Sequence, residues 1–241
     1  MGEIQKEFFE RATRIGGDLV KDLSLSILNK GNDVTAKVIN ISQSGLFLSI
    51  EGFPVEMGQS FQFKMDYGEH SVDFDAEVVR FEDNLWGLKV SENLIAYRSF
   101  VGFYFEAEIA SVNATVVPPN RLKPEQKGSP VWIVSKDGYS LYFVTYDSEL
   151  LKFSFHYDNY YFERNEEGKC QLYEVEAHEG FTEFGPSYKM SDLLRLVKGE
   201  NFDFDVIKKL QRFVMALSQI DKSVKAQILV EVNSFTPSFG D

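Results

Sequence analysis

Hydrophobic and polar residues alternate along most of the chain between Leu23 and Ser91. Because successive side chains of a β-strand point to opposite faces, this alternation predicts strands with one buried and one exposed side. Turn-forming residues interrupt the pattern at regular intervals and divide it into short segments. These segments are LSLSIL, VTAKVINIS, GLFLSIE, GQSFQFKMDYG, SVDFDAEVVRFEDN and LWGLKVS. The pattern predicts a small six-stranded antiparallel β-barrel or sandwich.

The spacing of apolar residues becomes helical on both sides of the predicted strands. Ile4 and Phe8 lie one helical turn apart, which predicts a short amphipathic helix over residues 3–12. Residues 92–109 are ambiguous, because their acidic start and their length favour a helix whereas the aromatic run GFYF favours a strand. We expect a helix in the first half of this segment.

A Pro-rich segment separates the two halves of the chain. Residues 116–130, VVPPNRLKPEQKGSP, contain four of the seven prolines. This composition is typical of a linker between domains. It predicts a barrel domain over residues 1–115 and a second domain over residues 131–241.

The second half begins with a predicted β-meander and ends with predicted helices. Its strand segments are VWIVS, SLYFVTY, LLKFSFHY, NYYFERN and KCQLYEVEA. Helical patterns follow in DLLRLVK, which Ser191 can cap, and in VIKKLQRFVMALSQI, which Asp203 or Asp205 can cap. A last helix starts at Asp221 or Ser223. The fold class is therefore mainly β with α, and the second domain is α+β.

Charge and composition narrow the class of protein. With 25 basic and 37 acidic residues the net charge is −12, which argues against a broad DNA- or RNA-binding surface. No apolar run is long enough to span a membrane, and the N-terminus lacks the apolar core of a signal peptide. The single cysteine, Cys170, cannot form an internal disulfide. These features favour a cytoplasmic protein without membrane insertion.

Catalytic and metal-binding patterns are missing from the sequence. The three histidines are scattered, and no phosphate-binding glycine loop or nucleophile motif occurs. Asp73, Asp75 and Glu77 alternate along one predicted strand and could form a metal site or an acid–base pair. Alternate carboxylates on a strand are more often a solvated face. We therefore expect a binding or regulatory protein rather than an enzyme, and no bound metal.

A polar motif interrupts the apolar run AKVINISQSGLFLSIEG. It contains Asn40, Ser42 and Gly45, of which the first two point to the same side of a strand. Asn40 offers a donor and an acceptor without a charge that would repel an anion, and Ser42 adds a hydroxyl. Gly45 permits a close approach of the backbone. Such residues are also common at a plain hairpin or bulge corner, so both interpretations are open.

The order of these features resembles the PilZ domain over residues 10–110. An arginine-bearing loop, two strands, NISQSG, two strands, AEVVR and WGLKV follow one another as in that family. The family's motif Asp/Asn-x-Ser-x-x-Gly stands complete at Asn40, Ser42 and Gly45. The resemblance implies a bacterial β-barrel whose members commonly bind cyclic di-GMP as a regulatory ligand.

The family's other motif, Arg-x-x-x-Arg, is altered in this sequence. Arg11 and Arg14 are three positions apart, and if Arg14 matches the second arginine, the first falls on Glu10. A guanidinium can bind a phosphate or guanine O6 and N7 through two hydrogen bonds, which a lysine cannot reproduce. The resemblance therefore implies ligand contacts for Arg11 and Arg14. The alternative is an exposed pair neutralised by neighbouring acidic residues.

Two further residues are candidates for ligand binding. Trp86 offers a flat face on which a base could stack, although packing in the barrel core is the commoner role. Arg80 either reaches the same ligand or lies at the end of its strand.

The resemblance implies a second-messenger receptor whose conformation or partner binding changes with cyclic di-GMP, to regulate motility, surface attachment or biofilm formation. The aromatic second domain is expected to bind a protein partner. The alternative is a PilZ-like adaptor that binds no nucleotide and acts through protein contacts.

Overall fold

The computed structural model describes residues 13–28, 34–175, 194–196 and 204–235. Arg11, the helix predicted over residues 3–12 and the predicted capping residues Ser191 and Asp203 lie outside these ranges. The chain divides into two compact units, residues 1–109 and 110–241.

The first unit contains seven described strands and a helix that follows them. Their bounds are β1 Ile15–Gly16, β2 Leu23–Ile27, β3 Val34–Ser42, β4 Gly45–Ser49, β5 Ser60–Tyr67, β6 His70–Glu82, β7 Leu85–Glu92 and α1 Leu94–Tyr104. A short 3₁₀ helix, Gly17–Val20, connects β1 to β2. The segments β2 to β7 are the six strands that the alternation predicts.

These six strands form a closed antiparallel barrel. The order is β3-β2-β5-β6-β7-β4, and β4 pairs again with β3. Without this pairing, β3 and β4 would be the edge strands of the six-stranded sheet. Closure gives their backbone groups hydrogen-bonding partners, so the sheet has no free edge between them. β1 is an extra strand that pairs with β3.

The barrel core follows from the register of the strands. Directly paired residues point to the same face, so a row across four strands and β1 forms one layer of the core. This row consists of Ile15, Ile41, Leu46, Leu88 and Val78, all buried. Residues one position away in each strand point outward.

Helix α1 covers the barrel with its aromatic side. Tyr97, Phe100 and Val101 are buried at helical spacing, and the Tyr97 ring lies 4.8 Å from that of Phe74 on β6. The aromatic run GFYF, which favoured a strand, is therefore helical as far as Tyr104. The helical prediction for the first half of this segment is confirmed, and the helix extends beyond it because the aromatic side chains pack on the barrel.

The elements after α1 begin with α2 Glu106–Val112, which spans the division between the two units. The second unit then has β8 Thr115–Val116, β9 Ser129–Val134, β10 Ser140–Tyr146, β11 Glu149–Tyr157, β12 Tyr160–Arg164, β13 Cys170–Val175, β14 Leu194–Leu196, α3 Phe204–Ala216 and α4 Lys222–Ser234. A 3₁₀ turn lies at Pro119–Arg121. The seven strands form one antiparallel sheet in sequence order.

The core of the second unit lies between this sheet and its helices. One buried row across the sheet consists of Ile133, Leu141, Phe155, Phe162 and Leu172. From α3, Phe213 packs its ring 5.9 Å from Phe155 and 5.1 Å from Tyr139. The predicted meander and the last two helices are confirmed.

One predicted helix of the second unit is wrong. DLLRLVK includes β14, and Leu194–Leu196 pair with Tyr173–Val175 of β13. Its apolar spacing fits a short strand as well as a helical turn, and the open edge of β13 supplies the backbone partners that decide between them. The last helix is capped by Asp221, whose carboxylate accepts a hydrogen bond from the Ser223 N–H at 2.7 Å.

The Pro-rich segment lies within the second unit by this division. The Val117 N–H donates to the Trp132 carbonyl at 2.8 Å. Lys152 on β11 forms a salt bridge with Glu125 at 2.9 Å, and the Tyr142 hydroxyl on β10 donates to the same carboxylate. These contacts attach the segment to the sheet, and the two compact units meet in the sequence between Ile109 and Ala110. The predicted domain boundaries themselves stay a prediction.

Replacing Phe213 by alanine should destabilise the second unit by about 3–5 kcal/mol, because the ring fills the space between α3 and the sheet. Met215→Ala is the matched control on the same helix, since Met215 is 48% exposed. It should change the free energy of unfolding by no more than about 0.5 kcal/mol. Urea denaturation followed by circular dichroism measures both, and equal losses would contradict the assignment of the core.

Candidate functional site

The motif residues Asn40, Ser42 and Gly45 lie where β3 turns into β4. Ser42 is 8% exposed, and its hydroxyl donates to the Gly45 carbonyl at 3.2 Å. The Ser42 hydroxyl oxygen also accepts a hydrogen bond from the Ser44 N–H at 3.4 Å. Ser42 therefore holds the turn together through its side chain, and Asn40, which is partly exposed, remains on the outer face.

Gly45 is required by the closeness of two backbones. A Cβ at this position would lie 2.2 Å from the carbonyl oxygen of Leu88 on β7. Gly45 pairs with Lys89, so the clash would fall within the β4–β7 ladder that contributes to barrel closure. The glycine of the motif is thus explained by packing.

β1 attaches the arginine-bearing segment to the motif strand. Ile15 pairs with Ile41 and Gly16 with Asn40. A Cβ on Gly16 would lie 2.7 Å from the Ile39 carbonyl oxygen and 2.9 Å from the Asn40 Cβ, so only glycine permits this approach. Arg14 precedes the buried Ile15 and is itself exposed. The exposed Arg14 is thus one residue away from the pair that Ile15 forms with Ile41 of the motif strand.

Arg80 shares an outer row with Asn40 but lies at its far end. The row is Gly16, Asn40, Phe47, Gly87 and Arg80. Three strand spacings separate Asn40 from Arg80, about 14 Å at roughly 4.8 Å per step. Arg80 is exposed and forms a salt bridge with Glu82 at 3.1 Å.

Trp86 is not part of this outer face. Its side chain is fully buried, and its ring lies 5.7 Å from that of Phe53 and 5.5 Å from that of Phe61. The expectation that it stacks on a ligand is therefore corrected: Trp86 points inward from β7, and its aromatic neighbours occupy the space that a base would need.

Two residues that the sequence analysis missed hold the motif turn from helix α1. The Tyr97 hydroxyl lies 2.9 Å from the Ser42 carbonyl oxygen and 3.2 Å from that of Gly45. Burial raises the pKa of Tyr97 well above its ordinary value, so the hydroxyl stays protonated and can donate. Arg98 donates from Nε to the Gln43 carbonyl at 3.2 Å. No local spacing in the sequence relates α1 to residues more than fifty positions earlier.

The acidic strand residues do not assemble a metal site in the described part of the chain. Asp73, Asp75 and Glu77 are exposed or partly exposed. No group of three or more histidine, cysteine or acidic residues that could hold a metal occurs among residues 13–28, 34–175, 194–196 and 204–235.

Burial raises the pKa of the Cys170 thiol to about 11, with Glu231 adding to the effect. Within those same ranges, no helix combines the length and apolarity needed to cross a membrane.

A comparison with models of protein families finds a match within the first unit. Residues 5–105 match the model of the PilZ domain. No curated protein matches the chain.

The solved structures to which this chain is similar include three with low sequence identity to it. An uncharacterized Legionella protein, Lpg0364, is 15% identical, with 39% of this chain and 90% of that chain covered and a TM-score of 0.31. The PilZ domain of YcgR from Escherichia coli, solved with c-di-GMP, is 17% identical, with 42% and 93% covered and a TM-score of 0.34. PlzA of Borreliella burgdorferi, also in complex with c-di-GMP, is 9% identical, with 84% and 94% covered and a TM-score of 0.32.

Gly45→Ala should destabilise the barrel by about 2 kcal/mol or more, because the new methyl group meets the Leu88 carbonyl. Gly102→Ala is the matched control in α1, where the nearest atom to the new Cβ is Gln43 Nε2 at 3.8 Å. That substitution should stabilise the chain by roughly 0.5–1 kcal/mol, as expected for glycine within a helix. Thermal unfolding of both variants measures the difference, and a Gly45→Ala protein as stable as the wild type would refute the packing explanation.

Proposed function

Because residues 5–105 match the model of the PilZ domain, we propose that this chain is a cytoplasmic bacterial receptor for cyclic di-GMP. The observation that carries the proposal is the pairing of β1 with β3. It supports the proposal because the exposed Arg14 directly precedes Ile15, which pairs with Ile41 of the motif strand.

The motif residues and the arginines have distinct parts in this proposal. Arg14 binds a phosphate or the O6 and N7 edge of guanine, for which a guanidinium is the best-matched side chain. Asn40 adds an uncharged hydrogen-bonding group on the same side. Ser42 and Gly45 build the turn that holds Asn40 in place, through the bonds and the backbone contact described above. Arg11 stays a proposed ligand residue from the family resemblance.

Arg80 is a less well supported ligand-binding residue than Arg14. Its position at the other end of the outer row suits contact with a second part of an extended ligand, once its exposed salt bridge with Glu82 has been exchanged. An exposed ion pair is worth at most about 1 kcal/mol, so this exchange costs little.

Ligand binding is proposed to change the conformation of the chain or its binding to a protein partner. By family resemblance, the regulated process is motility, surface attachment or biofilm formation. We propose a binding role without catalysis and without a metal.

Isothermal titration of the full chain with cyclic di-GMP tests the proposal. We expect saturable binding at ligand concentrations on the order of tens of micromolar, together with a rise in Tm. Arg14→Ala should weaken Kd by about tenfold or more, because it removes a charge-assisted hydrogen bond to the ligand. Cyclic di-AMP should bind more weakly, because adenine lacks the O6 acceptor of guanine.

Arg121→Ala controls for the loss of one positive charge, since Arg121 is an exposed arginine of the second unit. It should leave Kd unchanged. A wild-type chain that shows neither heat nor a Tm shift with cyclic di-GMP would refute the receptor proposal.

The second candidate function is an adaptor that has kept the barrel and binds a protein instead of a nucleotide. One observation favours it: the Ser42 hydroxyl is buried and already bonded within the turn, so the motif has a structural role without any ligand. The contact surface would lie on the second unit, where Tyr146 is 51% exposed.

The two candidate functions predict different effects of substitutions in cells that depend on this protein. If the chain is an adaptor, Arg14→Ala should leave motility or attachment unchanged, whereas Tyr146→Ser should impair it. Loss of activity with Arg14→Ala alone, at normal protein abundance, would count against the adaptor.

A further inference from the structure

Helix α1 presents an arginine directly at the motif turn. The Nε of Arg98 donates to the carbonyl oxygen of Gln43, which lies between Ser42 and Gly45, at 3.2 Å. The side chain of Arg98 is exposed. Only one of the donors of its guanidinium is used by this bond, so Nη1 and Nη2 remain for another acceptor.

The position of Arg98 relative to the turn is fixed by its neighbour. The buried hydroxyl of Tyr97 lies within hydrogen-bonding distance of the carbonyl oxygens of Ser42 and Gly45, which holds this part of α1 against the turn. A guanidinium held by Nε in this way loses less freedom when its remaining donors bind a ligand.

The chemistry of the proposed ligand calls for more than one cation. Cyclic di-GMP has two phosphodiesters, each with a full negative charge, and the described N-terminal segment brings Arg14 to the motif. The pair Arg11 and Arg14 is one residue closer than the family spacing. Of the two phosphodiester charges Arg14 can pair with one, and a guanidinium from another element would pair with the second if the shortened spacing keeps Arg11 from reaching it.

Other cations on this face are less well placed. Arg80 is about three strand spacings from Asn40 and is paired with Glu82. Lys89 lies directly opposite both Gly45 and Glu77, and an ammonium group offers no planar fork. Within the part of the chain that the structure describes, Arg98 forms no ion pair.

We propose that Arg98 is a ligand-binding residue that contacts a phosphodiester of cyclic di-GMP through Nη1 and Nη2, while its Nε keeps the bond to Gln43. The inference rests on the proposed function. It assigns to α1 a contact that compensates for the shortened arginine spacing of the N-terminal segment.

Titration of the full chain with cyclic di-GMP at low and high salt tests this assignment. Arg98→Gln should weaken Kd by about tenfold, the effect of one lost charge-assisted contact. The salt dependence of Kd should become shallower than in the wild type, because one ligand charge is no longer neutralised. Arg98→Lys should recover part of the affinity and most of the salt dependence, and Arg121→Gln should behave as the wild type.

A purely structural role for Arg98 gives a different result. In that case Arg98→Gln and Arg98→Lys lower Tm alike, weaken Kd alike and leave the salt dependence unchanged, which would overturn the assignment. Binding by Arg98→Gln as tight as by Arg121→Gln would overturn it as well. If the wild type itself fails to bind, the receptor function fails, and the assignment fails with it.

Discussion

The first unit depends on β3, because a strand has two hydrogen-bonding edges and β3 serves three strands. β4 occupies one edge along residues 37–42, and β2 and β1 share the other at residues 34–36 and 40–41. The segment that carries Arg14 can therefore pair only where β2 has ended, which is opposite Asn40 and Ile41. Gly16 permits the close approach of β1 to β3, and Gly45 permits that of β4 to β7. Closure of the barrel and attachment of the arginine segment thus both use β3.

The strands of both units could be predicted because each has one face on a core, and burial imposes a period of two on the sequence. Segments whose partner lies far away in the chain were harder. The aromatic run before Tyr104 is helical because its side chains find the barrel, and Leu194–Leu196 form a strand because β13 has an open edge. In both places the local pattern fits two structures, and a tertiary contact selects one.

The candidate site also has a part that local sequence patterns predict and a part that depends on distant contacts. Asn40, Ser42 and Gly45 lie within six residues, so their spacing was visible in the sequence, and so was the arginine segment before the barrel. The contacts of Tyr97 and Arg98 with the turn join positions that are 52 to 55 residues apart, and no periodicity indicates them. For Trp86 the sequence left stacking on a ligand and packing in the core open, with packing the commoner role, and its side chain is buried in the core.

The positions of the motif residues indicate that the motif contributes mainly to the structure of the turn. Ser42 uses its hydroxyl within the turn and Gly45 answers a backbone contact, so two of the three motif residues have sufficient structural reasons to be present. A complete motif therefore shows a correctly built corner, and under the receptor proposal the affinity for a dianion comes from the cations around it. In a chain of net charge −12, such an affinity requires a local arrangement of guanidinium groups at the turn. The proposal therefore depends on Arg14, next to the strand paired with β3, and on Arg98 of the helix held against the turn, more than on the motif itself.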